Sequence, residues 1–343
     1  MAADDDAVAA ARAGDESAFA EIVERHRGEL RVHCYRMLGS FEESEDLVQE
    51  TFLRAWKNLG GFAGRSTLRA WLYRIATNAC LDALDGRARR VLPDHVAPPA
   101  DANAGFSPRT GIAWLQPFPD RLWEPAEPGD AGPDAAVIAR ETIELAFLAA
   151  IQHLPPRQRA VLILRDVLGW PAKQTAELLE SSVASVNSAS QRARATLRVH
   201  LPERRADWAP AEKPTERERA VLRRYMEAVE RADLTAVAGL LAEEVRTTMP
   251  PYPVWFQGRD AVMAALAESW DPASPAYVGR FRTVPTGANR QPAMATYVRR
   301  PGESGYHAFA ISLMRIQGDH IVEATAFHEP ELFPAFGLSP EHR

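Results

Sequence analysis

Apolar residues recur every three to four positions over residues 7–13 and 16–38, which predicts two helices with Phe19, Ile22, Val23, Leu30 and Met37 facing a core. A polar stretch over 41–45 reads as a break. The run Asp46-Leu47-Val48-Gln49-Glu50-Thr51-Phe52-Leu53-Arg54-Ala55-Trp56 then predicts a third helix. Leu47, Val48, Phe52, Leu53, Ala55 and Trp56 share its apolar side, and Asp46, Gln49 and Glu50 lie opposite. A loop containing Gly64 leads to a fourth helix that carries Trp71, Tyr73, Arg69, Arg74 and Asn78. An acidic face suits a protein partner, and the basic, amide-bearing face after it suits nucleic acid.

The pattern then changes. Residues 91–133 hold Pro93, Pro98, Pro99, Pro108, Pro117, Pro119, Pro125, Pro128 and Pro133 among several glycines, and read as a linker without regular helix or strand. Within it, Trp114-Leu115-Gln116-Pro117-Phe118-Pro119-Asp120 is too apolar for a plain spacer and reads as a patch that covers a neighbouring domain. Helical spacing resumes over 134–153, 157–167, 172–179 and 183–199. The last two stretches, separated by Glu180-Ser181-Ser182, form a helix–turn–helix pattern with Ser182 as the N-cap. Residues 203–214 are a second linker. Beyond it, 217–230, 234–241 and 261–268 read as helices, and 278–285, 292–299, 306–316 and 320–327 as strands joined by turn-forming residues. Helices followed by a run of antiparallel strands indicate an α+β domain.

A chain of 343 residues predicts two or three domains. Its net charge of −6 is unevenly spread. Residues 65–90 hold Arg65, Arg69, Arg74, Arg87, Arg89 and Arg90 against Asp82 and Asp85, and residues 191–205 hold Arg192, Arg194, Arg198, Arg204 and Arg205 against Glu203. These two basic segments matter more than the total. Cys34 and Cys80 stand alone, without the spacing of a zinc site or a disulfide framework, so a reducing cytoplasm is expected, with no metal and no cofactor. No apolar run is long enough to span a membrane and the acidic start is unlike a signal peptide, so no membrane association is expected.

On these motifs, residues 6–90 resemble region 2 of an extracytoplasmic-function sigma factor of the sigma-70 family, and residues 134–202 resemble its region 4. The resemblance implies a transcription initiation factor with two all-α domains and no chemistry of its own, hence no catalytic residue. Its partners would be the core RNA polymerase, through the β′ clamp and β flap, and promoter DNA. The 46–56 helix would dock on the β′ clamp with Asp46, Gln49, Glu50 and Arg54 making polar contacts. Arg65, Ser66, Arg69, Arg74 and Asn78 would serve the −10 element, Asn78 as a base contact and the arginines on phosphates. Trp56, Trp71 and Tyr73 are read as core rather than as stacking platforms. For the −35 element the candidates are Ser182, Ser185, Asn187, Ser188, Gln191 and Arg192. Asn187 and Gln191 would read base edges, because amides pair bidentately with adenine. The chain departs from the commonest form of the family, which carries basic residues where this one has Asn187 and Ala189 and a glycine where it has Glu180.

Residues 215–343 resemble a SnoaL-like domain, a cone-shaped α+β barrel fold. The resemblance implies a built-in regulator of the sigma portion, with a small-molecule ligand among the expected partners. For an enzymatic role the candidate groups are Asp260, Glu268, Asp271 and His328, with Tyr252, Trp255, Phe309 and Phe327 lining a cavity, but none forms an acid–base pair in the sequence. The alternative from another class is a ligand-binding or isomerase-type domain fused to a DNA-binding repressor. A repressor needs no polymerase, so co-purification with the core enzyme separates the two.

Overall fold

The computed structural model describes residues 2–64, 66–101, 107, 109–123, 143–201 and 214–342. The chain divides into two compact units, Met1–Arg90 with Leu122–Pro210, and Val91–Arg121 with Ala211–Arg343.

In the first unit, α2 (Glu16–Leu38) has its expected bounds, while α1 (Ala2–Arg12) begins five residues before the stretch expected over 7–13. Asp15 caps α2 by accepting the Ser17 and Ala18 N–H groups, and Gly39 ends it at a φ of 70°. The expected polar break at 41–45 is instead the first turn of α3 (Phe41–Asn58). The true break is Gly39-Ser40, with the Ser40 hydroxyl accepting the Glu43 N–H. Thr67 caps α4 (Leu68–Leu84) in the same way. Ile22, Leu30, Cys34 and Met37 of α2 are buried, as are Val48, Phe52 and Ala55 of α3 and Leu72, Ala76 and Cys80 of α4. Polar pairs also lie inside this core. The His33 imidazole meets the Thr77 hydroxyl at 2.9 Å, and burial pushes the His33 pKa down to about 3, so the ring is neutral near pH 7.

The second half of this unit contains α5 (Leu145–Ile151), α6 (Pro156–Leu162), α7 (Ala172–Leu178) and α8 (Val183–His200). Residues 134–142 of the helix expected over 134–153 lie outside the described residues, and the described part holds α5. The helix expected over 157–167 ends as a π-helical turn at Ile163–Val167, where the Leu168 N–H reaches back five residues to the Ile163 carbonyl. Arg159 of α6 is almost wholly buried. It donates to the Met37 carbonyl at the end of α2, to the Gln152 side chain at 2.7 Å, and to the Gln152 and Leu154 carbonyls. One guanidinium thus ties the two helical halves together.

The second unit contains α9 (Glu216–Glu230), α10 (Leu234–Leu240), β1 (Leu241–Thr248), β2 (Trp255–Gln257), α11 (Arg259–Trp270), β3 (Arg280–Ala288), β4 (Gln291–Arg299), β5 (Tyr306–Gln317), β6 (His320–Phe327) and β7 (Glu341–His342). The strands form one open sheet in the order β2-β1-β6-β5-β4-β3, with β7 paired to β5. Sequence patterning misses β1 and β2. β1 follows α10 without a break and carries Glu243 and Glu244 where alternation would require a buried residue, and β2 has three residues. β1 also pairs parallel to β6, whereas the other neighbours on the path are antiparallel.

Helices α9–α11 cover one face of the sheet, where Val221, Leu222, Met226, Val237, Leu240, Val262 and Trp270 pack with Met294, Met314 and Ile316. Strand alternation turns Ala293, Ala295 and Tyr297 to the opposite face. There the Tyr297 ring meets Phe333 at 5.1 Å, and its hydroxyl donates to the Ser339 carbonyl.

The stretch read as a linker is a layer of this unit as far as Arg121. Leu115 and Phe118 are fully buried. The β3–β4 hairpin turns at Asn289 and Arg290, both at positive φ, the requirement of a type I′ turn. Asn289 exchanges two hydrogen bonds with Phe118: its side-chain carbonyl accepts the Phe118 N–H at 2.8 Å, and its own N–H donates to the Phe118 carbonyl at 2.9 Å. The Asp120 carboxylate accepts the Arg290 N–H, and a Cβ on Gly287 would lie 2.6 Å from that carboxylate. Asp94 pairs with Arg246, which also bridges to Glu323. Burial opposes the charge on Glu323, but Arg246 and Arg315 outweigh it and hold its carboxyl below the usual range.

Candidate functional site

Asp46, Gln49, Leu53 and Trp56 of α3 are all exposed, and their spacing of three, four and three residues puts them on one stripe. Leu53 and Trp56, expected in the core, keep 48% and 38% of their surface, which makes the lower half of the stripe apolar. Trp56 leans on Phe19 of α2 at 4.8 Å, and together with Glu16, Gln49, Phe52 and Leu53 they line a groove of about 340 Å³. Glu50 and Arg54 flank the stripe, paired with each other at 2.7 Å. The structure thus brings the four predicted docking residues together and adds Phe19, Leu53 and Trp56, which periodicity alone assigns to the interior.

Helix α4 separates its polar residues by depth. Arg74 and Asn78 are one turn apart and exposed, and Ser66 is exposed in the preceding loop. Arg65 lies outside the described residues. Arg69 turns inward: its guanidinium donates to the buried Glu29 carboxylate at 2.6 Å and lies over the Tyr73 ring. Tyr73 is core, as expected, and its ring packs at a tilt against Trp170, with centroids 5.0 Å apart. Asn78 lines a groove of about 840 Å³ with Leu81, Asp82, Asp85, Arg87 and Arg157 among its walls.

On α8, Val186, Ala189, Ser190, Ala193 and Leu197 are buried, while Ser185, Asn187, Ser188, Gln191 and Arg192 are exposed. The Ser182 hydroxyl accepts the Ser185 N–H at 3.1 Å and so acts as the expected N-cap. Arg192 donates to the Ser188 hydroxyl, and Arg194 grips Asp166 through both guanidinium arms. An uncharged amide face near the helix start, with Arg192 beside it, has the composition of a major-groove reader.

In the second unit the candidate acid–base groups do not converge. Asp260, Glu268 and Asp271 are exposed. Asp271 caps the turn after α11, and Glu268 accepts from Ser274. Trp255 donates its indole N–H to the Ala97 carbonyl, and Phe327 is fully buried. His328 joins a chain of rings running from Tyr252 through His328, Phe309 and Phe281 to Trp270, with successive centroids 4.7–6.4 Å apart. Burial pushes the His328 pKa down to about 4, and its Nδ1 is shielded without a hydrogen-bond partner.

Comparison with known proteins bears on all three regions. Residues 22–90 match the sigma-70 region 2 family, residues 144–197 the sigma-70 region 4 family, and residues 222–324 the SnoaL-like domain family. The chain is 42% identical over 328 residues to the ECF RNA polymerase sigma factor SigG of Mycobacterium tuberculosis, covering 95% of this chain and 85% of that protein. It is 32% identical over 188 residues to SigW of Bacillus subtilis, covering 55% of this chain and 91% of that one. The crystal structure of the extracytoplasmic-function sigma factor SigJ of Mycobacterium tuberculosis shares its fold, with a TM-score of 0.57 at 21% identity over 93% of this chain and all of that one. Among the described residues no helix is long and apolar enough to cross a membrane. With both sigma regions present in order, a SnoaL-like domain behind them and a relative 42% identical over 95% of this chain, the chain belongs to the extracytoplasmic-function sigma factors.

Proposed function

We propose that this protein binds core RNA polymerase, directs it to promoters with −35 and −10 elements, and helps to open the DNA, acting in the cytoplasm without an enzymatic step. The observation that carries this reading is the coexistence in one helical unit of a half-apolar, half-polar stripe on α3 and two exposed amide faces on α4 and α8. The stripe supports docking on the β′ clamp, with Glu50 and Arg54 at its rim. Region 4 supplies the contact with the β flap. Asn78 serves as a base contact for the non-template strand, with Arg74, Ser66 and Arg65 on its phosphates and Arg69 as the residue that fixes Tyr73 beneath them. Asn187 and Gln191 read the −35 duplex, flanked by Ser182, Ser185, Ser188 and Arg192.

An amide that reads a base is worth about 1–3 kcal/mol of discrimination. Asn78→Ala is therefore expected to lower run-off transcription from the cognate promoter about tenfold while the affinity for core polymerase stays at the wild-type value. Equal transcript yields from the two proteins would remove Asn78 from the reading surface.

The second unit regulates the helical one and takes a small-molecule ligand. The support is its row of rings with the neutral His328 imidazole among them, whose shielded Nδ1 has no hydrogen-bond partner, an arrangement that suits an uncharged aromatic compound with one hydrogen-bonding group. 1-Naphthol is expected to bind the full chain about tenfold more tightly than naphthalene, and His328→Phe to erase that difference. Identical affinities for both compounds in the wild-type protein would defeat this assignment.

A further inference from the structure

The turn between α7 and α8 holds Glu180 at a φ of 51°, the left-handed region in which glycine or asparagine is at ease and a longer side chain is strained. Strain of this kind persists where something compensates it. Here the Glu180 carboxylate reaches the Arg74 guanidinium of α4 at 2.5 Å. The contact has a support beneath it. Trp170, just ahead of α7, packs at a tilt against Tyr73 one residue from Arg74, and the Arg69 guanidinium lies within 6 Å of both ring centroids. Arg159 fastens the same two halves from the other side through the Met37 carbonyl.

The turn that leads into α8 is therefore in direct contact with α4, Glu180 lying two residues before the Ser182 cap. Promoter elements at −35 and −10 are some 25 base-pair steps apart, about 85 Å along straight B-DNA at about 3.4 Å per step. Helix α8 is 18 residues long and extends only about 27 Å. The arrangement cannot place α4 on one element and α8 on the other, so it is an off state that must open. We propose that Glu180 is the latch of this closed state, standing in for a promoter phosphate on Arg74 and released when DNA phosphate takes its place. A carboxylate and a phosphate present the same paired oxygens to a guanidinium, so either one satisfies Arg74 and the two exclude each other. The proposal rests on the reading of Arg74 as a promoter phosphate contact.

Half of the Arg74 side chain and two-thirds of the Glu180 side chain are exposed. An exposed pair makes a modest latch, one that shifts an equilibrium without locking it. The test uses the full chain carrying donor and acceptor dyes at Glu21→Cys and Arg198→Cys, with the open fraction read by energy transfer in the absence of DNA. Glu180→Gln and Glu180→Gly are each expected to raise the ratio of open to closed molecules about threefold. They are also expected to tighten binding of a −10 single strand to the free protein by the same factor. Glu180→Gly relieves the turn, so its melting temperature should not fall below that of the wild type, which rules out unfolding as the cause. Arg74→Glu opens the unit, and adding Glu180→Arg closes it again without restoring DNA binding. An unchanged open fraction in both Glu180 variants overturns the latch, whatever Arg74 does with DNA. If Arg74→Ala opens the unit yet leaves promoter affinity of the polymerase complex intact, the latch stands and the role of Arg74 on DNA falls.

Discussion

The double substitution Leu53→Asp and Trp56→Ala is expected to lower the affinity for core RNA polymerase by at least about 100-fold. Large apolar side chains at the centre of an interface each contribute about 2 kcal/mol or more, and each 1.4 kcal/mol is a factor of ten. Leu53 and Trp56 are the only large apolar side chains left exposed on α3 among the described residues, and they flank the groove against Phe19. Because both lie outside the core, the helical content and melting temperature of the variant should stay close to wild type. Asp46→Ala and Gln49→Ala, at the polar end of the stripe, should act mainly on the association rate and its salt dependence, with losses below about tenfold. Fluorescence titration with core polymerase measures all three. A double variant that binds within threefold of wild type would relocate the docking site.

Phe118→Ala should destabilise the second unit by about 3–5 kcal/mol, the range for emptying a fully buried aromatic site. In a unit of this size that lowers its melting temperature by about 10 °C. Phe118 is fully buried, and its backbone is held on both sides by Asn289. Losing the ring loosens the peptide groups that the hairpin turn grips. Gly287→Ala should act in the same direction by a separate route, since its methyl group would displace the Asp120 carboxylate from the Arg290 N–H. Calorimetry of the full chain reads both. If Phe118→Ala melts within 2 °C of wild type, residues 91–121 are an adornment and not a structural layer.

The helices were legible where a single face repeats. The 16–38 helix has its observed bounds, and Ser182 caps α8 as its chemistry suggests. Three places resisted for physical reasons. Leu53 and Trp56 have the periodicity of a core face, and a surface kept apolar for a partner looks the same in sequence as one buried in the fold. β1 lacks alternation because both its ends are buried while Glu243 and Glu244 face outward between them. The 91–121 stretch is rich in proline and its described residues form almost no regular structure, yet it packs through Leu115 and Phe118, and no period announces that. For the candidate site, the exposure of Asn78, Asn187 and Gln191 was legible, but the depth of Arg69 was not. Its burial follows from Glu29, forty positions away.

The course of the chain has a practical consequence for domain surgery. It leaves the helical unit after Arg90, contributes residues 91–121 to the second unit, and re-enters at Leu122 before departing again near residue 210. A truncation at residue 210 does not yield a bare sigma factor. It strips the covering from Trp114, Leu115 and Phe118 and leaves an adhesive apolar ribbon spliced between the two promoter-reading halves. Self-association of that ribbon would masquerade as lost regulation. A faithful minimal version removes both passages together, with a glycine–serine bridge between Arg90 and Leu122 and a stop codon after residue 210.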